Sequence, residues 1–215
     1  MTRKLDAVVV GPFMVNCFLY RDTETSRGVI IDPGDEAERI IDKIKQVSMK
    51  PEAILLTHGH IDHIAAVEEV KKRYHLPLYV GRGEETMLAD PTANASSFFD
   101  DPITVPKPEF IIDDEEEISP AGLKLRVLAT PGHTPGGVCY LDETEGLLFC
   151  GDTLFQLSIG RTDLPGGSFE QLMNSIRNKI MTLPDGIVCL PGHGPATTVG
   201  AERNANPFLT GGYFA

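Results

Sequence analysis

Thr57-His58-Gly59-His60-Ile61-Asp62-His63 sets three histidines and a carboxylate in six consecutive positions, directly behind the apolar run Ala53-Ile54-Leu55-Leu56. A short apolar run of this kind reads as a buried strand. His58 and His60, two apart at its end, then project to the same side. Asp62 is expected to cap the next helix, with His63 on its first turn. One strand-to-helix turn would carry four ligand groups into one crevice. Imidazole nitrogen with carboxylate oxygen is a donor set that zinc accepts and that iron or manganese also uses. A lone histidine or a lone Asp before a helix is an ordinary residue, but a cluster is costly. Neighbouring imidazoles repel when protonated and compete for scarce polar partners when buried. A cation removes both costs.

The other histidines repeat one device. The strand-like run Leu123–Ala129 leads into Thr130-Pro131-Gly132-His133, and Ile187–Leu190 leads into Pro191-Gly192-His193. Proline ends the ladder, and glycine permits the turn that swings the imidazole off the strand end. A third run, Leu147–Cys150, ends in Gly151-Asp152 and presents a carboxylate. Five of the six histidines thus stand at strand-end turns, where layered α/β folds build their sites. The sixth, His75, precedes Leu76-Pro77 and reads as a partner for a helix C-terminus. His58, His60, Asp62, His63, His133, Asp152 and His193 make seven candidate ligands. One zinc takes three or four, so seven suit two divalent ions, zinc foremost and iron or manganese with the same ligands. No cysteine belongs to the set, which points to a catalytic centre. Two cations sharing a carboxylate would hold a hydroxide made by lowering the pKa of water toward ~7.

The rest of the chain frames this centre. Its 215 residues suit one α/β domain over 1–215, and 41% hydrophobic with 23% charged content is that of an ordinary globule. A net charge of −12 disfavours nucleic acid and anionic membranes, which call for a basic stripe. Asp113-Asp114-Glu115-Glu116-Glu117 lacks the spacing of a calcium loop and reads as a solvated turn. Cys17, Cys139, Cys150 and Cys189 lie in apolar stretches without a C-x-x-C pair, as buried reduced thiols. Asp6, Gly11-Pro12 and Asn16 interrupt the apolar start, so no signal peptide is read there. No run approaches the ~20 apolar residues of a membrane span, and a cytoplasmic protein is expected.

Strands are predicted at Leu5–Val10, Cys17–Tyr20, Gly28–Ile31, Ala53–Leu56 and Leu78–Val80. Asp35-Glu36-Ala37-Glu38 reads as a capping box before a helix with Ala37, Ile40, Ile41, Ile44 and Val47 inward. A single helix after the histidine cluster would carry Ile64, Val67, Val70 and Tyr74 on one face. Gly81–Lys107, with Phe98-Phe99 in its middle, reads as a long irregular connection of the lid or substrate-wall kind. Val138–Leu141 and Leu147–Cys150 form a hairpin. Ser168-Phe169-Glu170-Gln171 opens a helix with Leu172, Met173, Ile176 and Ile180 inward, and Ile187–Leu190 is the last predicted strand.

The seven residues, with H-x-H-x-D-H at their head, resemble the metallo-β-lactamase superfamily from Asp32-Pro33-Gly34-Asp35 through His193-Gly194. The resemblance implies an α/β fold of four layers, αββα, with the metals at one edge of two sheets. It implies His58, His60 and His133 on one metal and Asp62, His63 and His193 on the other. Asp152 would bridge them, Asp32 would orient a ligand from behind, and Asp62 and Asp152 would serve catalysis with the metal-held hydroxide.

Gly151-Asp152-Thr153-Leu154-Phe155, with Ser158-Ile159-Gly160-Arg161-Thr162-Asp163, is similar to the glyoxalase II-like (hydroxyacylglutathione hydrolase-like) enzymes of the short bacterial type. That implies hydrolysis of S-lactoylglutathione or a related acyl thioester. Arg161 would grip a substrate carboxylate, or else pair with Asp163. Only about twenty residues follow His193, so the C-terminal helical domain of the longer glyoxalase II enzymes is not expected, and glutathione itself is less implied than the thioester. The rival is a mononuclear-iron persulfide dioxygenase acting on glutathione persulfide, with His58, His133 and Asp152 alone on the iron. A β-lactamase is disfavoured by the absence of an export signal, and a nuclease by the acidic charge.

Overall fold

Apolar residues alternate along the strands, and in the computed structural model, which describes residues 2–99 and 102–211, they build two six-stranded sheets. The first runs in sequence order: β1 (Arg3–Val10), β2 (Val15–Asp22), β3 (Arg27–Ile31), β4 (Lys50–Leu55), β5 (Leu78–Gly81) and β6 (Phe110–Ile112). The first three are antiparallel, and β3 to β6 are parallel. The parallel part takes its crossovers from α1 (Ala37–Gln46), α2 (Ile61–Ile64) with α3 (Val67–Tyr74), and the 82–109 connection. The second sheet holds β7 (Glu117–Ile118), β8 (Leu125–Ala129), β9 (Val138–Asp142), β10 (Leu147–Gly151), β13 (Val188–Pro191) and β14 (Thr197–Thr198). A small hairpin, β11 (Leu154–Phe155) and β12 (Ser158–Ile159), lies between β10 and β13 in the chain.

Alternation along the strands sorts the apolar side chains into three layers. Cys17, Leu19, Ile30 and Ile54 face outward against Ile40 and Ile44 of α1 and Val67 and Val70 of α3. Their neighbours Phe18, Tyr20, Val29, Ile31 and Leu55 face inward against Val127, Tyr140 and Phe149 of the second sheet. Leu128, Cys139, Leu141 and Leu148 turn to the far side and pack on Leu172 and Met173 of α5 (Phe169–Ser175) and on Ile176 and Ile180 beyond it. Helix, sheet, sheet and helix are the expected αββα order. Full burial of each such side chain is worth ~1.5–3 kcal/mol, so the central layer carries much of the fold's stability.

Three local expectations fail, each for a non-local reason. No capping box forms at α1: Glu36 takes a left-handed φ of 49° with no side-chain cap, and its carboxylate instead accepts the Gly11 N–H at 2.9 Å. His60, not Asp62, occupies the cap position of α2. The helix after the cluster is broken at Ala65-Ala66, whose N–H groups donate to the carbonyls of Gly34 and Pro33 at 3.1 Å each. Smaller differences are that the short strands β6, β7, β11, β12 and β14 add to the predicted ones and that 81–107 contains α4 (Glu85–Ala89) and a short turn at Ser96–Phe98. Asp100-Asp101 of that segment lie outside the described residues.

Other readings hold. All four cysteines are free and buried. The acidic run turns between β6 and β7, where Asp113 pairs with Arg82 and Asp114 with Lys179. Among the described residues no helix is long and apolar enough to cross a membrane. Residues 199–210 pack against the second sheet's helical layer rather than over the centre. α6 (Val199–Ala205) leads to Asn206, which donates to the Ser158 carbonyl at 3.0 Å, and α7 (Pro207–Thr210) rests beside the third layer.

Candidate metal centre

β8 and β10 both run antiparallel to β9, and β13 runs parallel to β10, so these three strands end at the same edge of the second sheet. Those ends carry His133, Asp152 and His193, and the end of β4 brings His58 to His63 from the first sheet. The sheets are pinned together there. Val138 donates to the Thr57 carbonyl at 2.8 Å, and the Tyr140 hydroxyl to the Leu56 carbonyl at 2.7 Å. Asn16 reaches from β2 to the carbonyls of Pro191 and Gly194, at 3.0 and 2.9 Å, and fixes the turn that bears His193.

The side chains fall into two triads. His58, His60 and His133 form one, Asp62, His63 and His193 the other, with the ligand atoms of each within 4.8 Å of one another. Asp152 stands between them. Its Oδ1 is 3.4 Å from His63 Nε2, and its Oδ2 is 3.7 Å from His133 Nε2 and 3.5 Å from His193 Nε2. All seven predicted ligands are thus brought together. His75 is exposed at the end of α3 and belongs to neither triad.

The hydrogen bonds on the outer ring nitrogens fix which nitrogens face inward. His63 Nδ1 donates to Asp32 Oδ2 at 3.0 Å, and His133 Nδ1 to the Arg161 carbonyl at 2.7 Å. His193 Nδ1 donates to the Phe13 carbonyl at 2.9 Å, and His58 Nδ1 to the Thr57 hydroxyl at 3.1 Å. In each ring the outer nitrogen carries a proton, and Nε2 points into the cluster, where its lone pair can take either a cation or a second proton. His60 presents Nδ1, 2.9 Å from His133 Nε2, which itself lies 3.2 Å from His58 Nε2. Three lone pairs converging at such distances have no hydrogen to share. His63 Nε2 and Asp152 Oδ1 are buried with no hydrogen-bond partner at all. Orphaned acceptors around one point are costly unless a cation fills it. The donor set fits two divalent ions.

The two triads differ electrostatically. Burial, helped by the neighbouring imidazoles, pushes His58 well below the usual histidine range and His60 down to about 3. Burial lowers His133 as well, although Asp152 opposes it. The first triad is therefore three neutral imidazoles. Burial also works against the His63 cation, but Asp32, Asp152 and Asp62 surround that ring and hold it well above the usual range. Asp152 mirrors this: burial raises its pKa, and His63 and His133 more than reverse the effect. In the second triad a proton on imidazole occupies the place a metal would take.

Sequence reading located Asp32 but missed its partners. Asp32 Oδ1 accepts the Thr57 N–H at 2.8 Å and Oδ2 the Thr57 hydroxyl at 2.6 Å, so one carboxylate braces both His58 and His63. Glu84 gave no signal, since a glutamate between Gly83 and Glu85 reads as a surface residue. It is wholly buried, and its two oxygens accept the N–H groups of Gly59 and Gly136 at 2.7 and 2.6 Å. Arg161 lines the centre beside Asp152 and His193, and its guanidinium pairs with Asp163 through two hydrogen bonds of 2.7 and 2.8 Å.

Gly192 shows how closely the centre is packed. A Cβ there would lie 2.4 Å from Asp152 Oδ1 and 2.5 Å from the His63 ring. Gly192→Ala is expected to weaken metal retention roughly 10–100-fold, the usual effect of disturbing groups that orient ligands. Elemental analysis after dialysis against a weak chelator measures it. Unchanged retention would mean that both side chains can step aside.

A sequence model of the metallo-beta-lactamase superfamily matches residues 10–193. The chain is 42% identical to the probable metallo-hydrolase YqgX of Bacillus subtilis, over 94% of this chain and 95% of that protein. It is 37% identical to the hydroxyacylglutathione hydrolase GloC of Haemophilus influenzae, over 95% and 97% respectively. Among solved structures, BLEG-1 B3 metallo-beta-lactamase superposes with a TM-score of 0.92 at 42% identity, covering 96% of this chain and 100% of that one. TTHA1623 in a di-iron-bound form gives 0.81 at 37% identity, with 95% and 100% covered. ETHE1 from Myxococcus xanthus gives 0.78 at 25% identity, with 97% and 85% covered.

Proposed function

This chain belongs to the metallo-β-lactamase superfamily, and on that premise we propose that it is a metal-dependent hydrolase of acyl thioesters, S-lactoylglutathione or a close relative among them. The observation that carries the reading is Asp152 set between two triads, with its own Oδ1 and His63 Nε2 buried and without a hydrogen-bond partner. His58, His60 and His133 would hold one divalent ion, Asp62, His63 and His193 a second, and Asp152 would touch both. When bound, such ions polarise a carbonyl and bring the pKa of a coordinated water toward ~7.

The chain's own groups do the rest. Asp32, Thr57 and the carbonyls of Phe13 and Arg161 hold the imidazoles in the orientation that leaves their lone pairs inward. Asp62 Oδ2 lies 3.1 Å from His193 Nε2. Burial raises the pKa of Asp62, but His63 and His193 bring it below the usual carboxylate value. It is therefore ionised at neutral pH and able to accept a proton as water adds to the thioester carbon. The carbon–sulfur bond then breaks, giving a carboxylic acid and a thiol. No protein nucleophile competes. The Cys150 thiol, which lines a narrow space with His58, His133 and Asp152, is buried and pushed well above its ordinary pKa, and burial pushes Cys139 up to about 12.

Likeness to GloC supports the thioester as substrate. The rival mononuclear-iron dioxygenase would leave His60, Asp62, His63 and His193 without a task. Likeness to BLEG-1 favours a second reading, hydrolysis of a β-lactam amide at the same centre. One set of measurements separates them: metal content, S-lactoylglutathione hydrolysis, oxygen uptake with glutathione persulfide, and β-lactam ring opening. About two ions per chain with thioester turnover is expected. One iron with oxygen uptake, or ring opening without thioester turnover, would replace this reading.

A further inference from the structure

The centre borders two cavities of similar size, one with an arginine on its wall and one whose only charged groups among the described residues are acidic. One, of about 530 Å³, is walled by Val10, Phe13, Ile61, Ala65, Phe99 and Ile103, and its charged lining among the described residues is Asp35 and Asp62, both acidic. The other, of about 520 Å³, is walled by Phe155, Ile159 and Pro195 together with Gln156 and Ser158, and it holds the cation of Arg161. Both volumes lie within the ~300–1,000 Å³ of small-ligand sites. Asp62 borders the first, Asp152 and His193 border the second, and Asp62 is 3.1 Å from His193. A molecule held between Asp62 and Asp152 would extend one end into each.

We propose that the apolar cavity is the acyl pocket and that the preferred substrates are thioesters of hydrocarbon or aryl acids, with the thiol carrier on the Arg161 side. The inference rests on the thioester reading and narrows it. An anionic or strongly hydrated group gains nothing beside Asp35 and Asp62 and loses its water against the apolar walls. Phe13 and Phe99 meet edge to face with ring centres 5.6 Å apart, and they are 47% and 45% exposed, an unusual outlay of aromatic surface unless something covers it. Phe13, Ile61, Asp62 and Phe99 also line the narrower space that holds His60, His133, Asp152 and Arg161, so the pocket communicates with the reacting end. The carboxylate of a carrier such as glutathione finds its cation across the centre, at Arg161.

The test is a chain-length series of glutathione thioesters: acetyl, lactoyl, butyryl, hexanoyl and phenylacetyl. A buried methylene is worth about fourfold, so kcat/KM should rise at least tenfold from acetyl to hexanoyl. Ala65→Phe, which fills the pocket, and Phe99→Ser, which strips an exposed wall and spares the core, should each bring the hexanoyl-to-acetyl ratio toward one. A flat or falling series with turnover retained overturns the pocket assignment and leaves the thioester reading standing. If no thioester is turned over, that reading falls, and calorimetry on the metal-loaded protein still decides the pocket. Hexanoate binding about tenfold tighter than acetate, with the difference lost in Phe99→Ser, supports it. Equal binding overturns it.

Discussion

Asp152→Ala is expected to abolish turnover and metal retention together. The carboxylate reaches members of both triads, at 3.4 Å from His63, 3.7 Å from His133 and 3.5 Å from His193. Its loss removes an anion that offsets two cations, so retained metal should fall from about two ions per chain to one or fewer. The rate should drop by roughly 10³-fold or more, beyond the ~10²–10³ that loss of a single charge-stabilising donor costs. Folding should survive. The polar contacts of Asp152 are to the centre's own histidines, and Oδ1 has no hydrogen bond to lose. Elemental analysis, kcat on S-lactoylglutathione and thermal melting measured on one preparation distinguish the outcomes. A variant that melts normally and keeps both ions would remove Asp152 from its bridging position.

How much of this could be read from the chain depends on the kind of interaction. The cluster of candidate ligands was legible because histidine and aspartate at strand ends are chemically marked. The layers were legible because residues such as Phe18-Leu19-Tyr20 and Val29-Ile30-Ile31 alternate between two apolar faces. What escaped was set by partners distant in sequence. The break at Ala65-Ala66 is made by the carbonyls of Pro33 and Gly34, and backbone acceptors leave no mark in a sequence. The same holds for the Phe13 and Arg161 carbonyls that orient His193 and His133. Asp62 matched a cap by type and position, yet its carboxylate faces His193 at 3.1 Å, an attraction that outweighs the ~1 kcal/mol a cap supplies. Arg161 was left between two readings, and both features are present: the pair with Asp163 and a place on the wall of the centre.

Glu84→Gln is expected to weaken metal binding at one triad only. Gly59 lies between His58 and His60, and Gly136 belongs to the turn that follows His133. One buried carboxylate accepts both N–H groups, at 2.7 and 2.6 Å, and so ties together the two loops that carry the first triad. The approach is close, since a Cβ on Gly59 would lie 3.2 Å from Glu84 Oε2 and one on Gly136 2.7 Å from the Glu84 nitrogen. Glutamine keeps the shape but turns an NH2 toward one of those N–H groups, donor against donor, and that loop is released. Chelator titration should then show one ion leaving roughly 10–100-fold more readily, with the ion on Asp62, His63 and His193 held as before. The melting temperature of the metal-free protein gives the control. Burial, against the N–H groups that favour the anion, raises the Glu84 pKa above its ordinary value. An acid raised on folding costs stability once the pH exceeds its unfolded value, and glutamine removes that cost while losing one hydrogen bond. The two changes oppose, so the melting temperature should move little while one ion loosens. A large fall in melting temperature with both ions equally weakened would reduce Glu84 to a structural link.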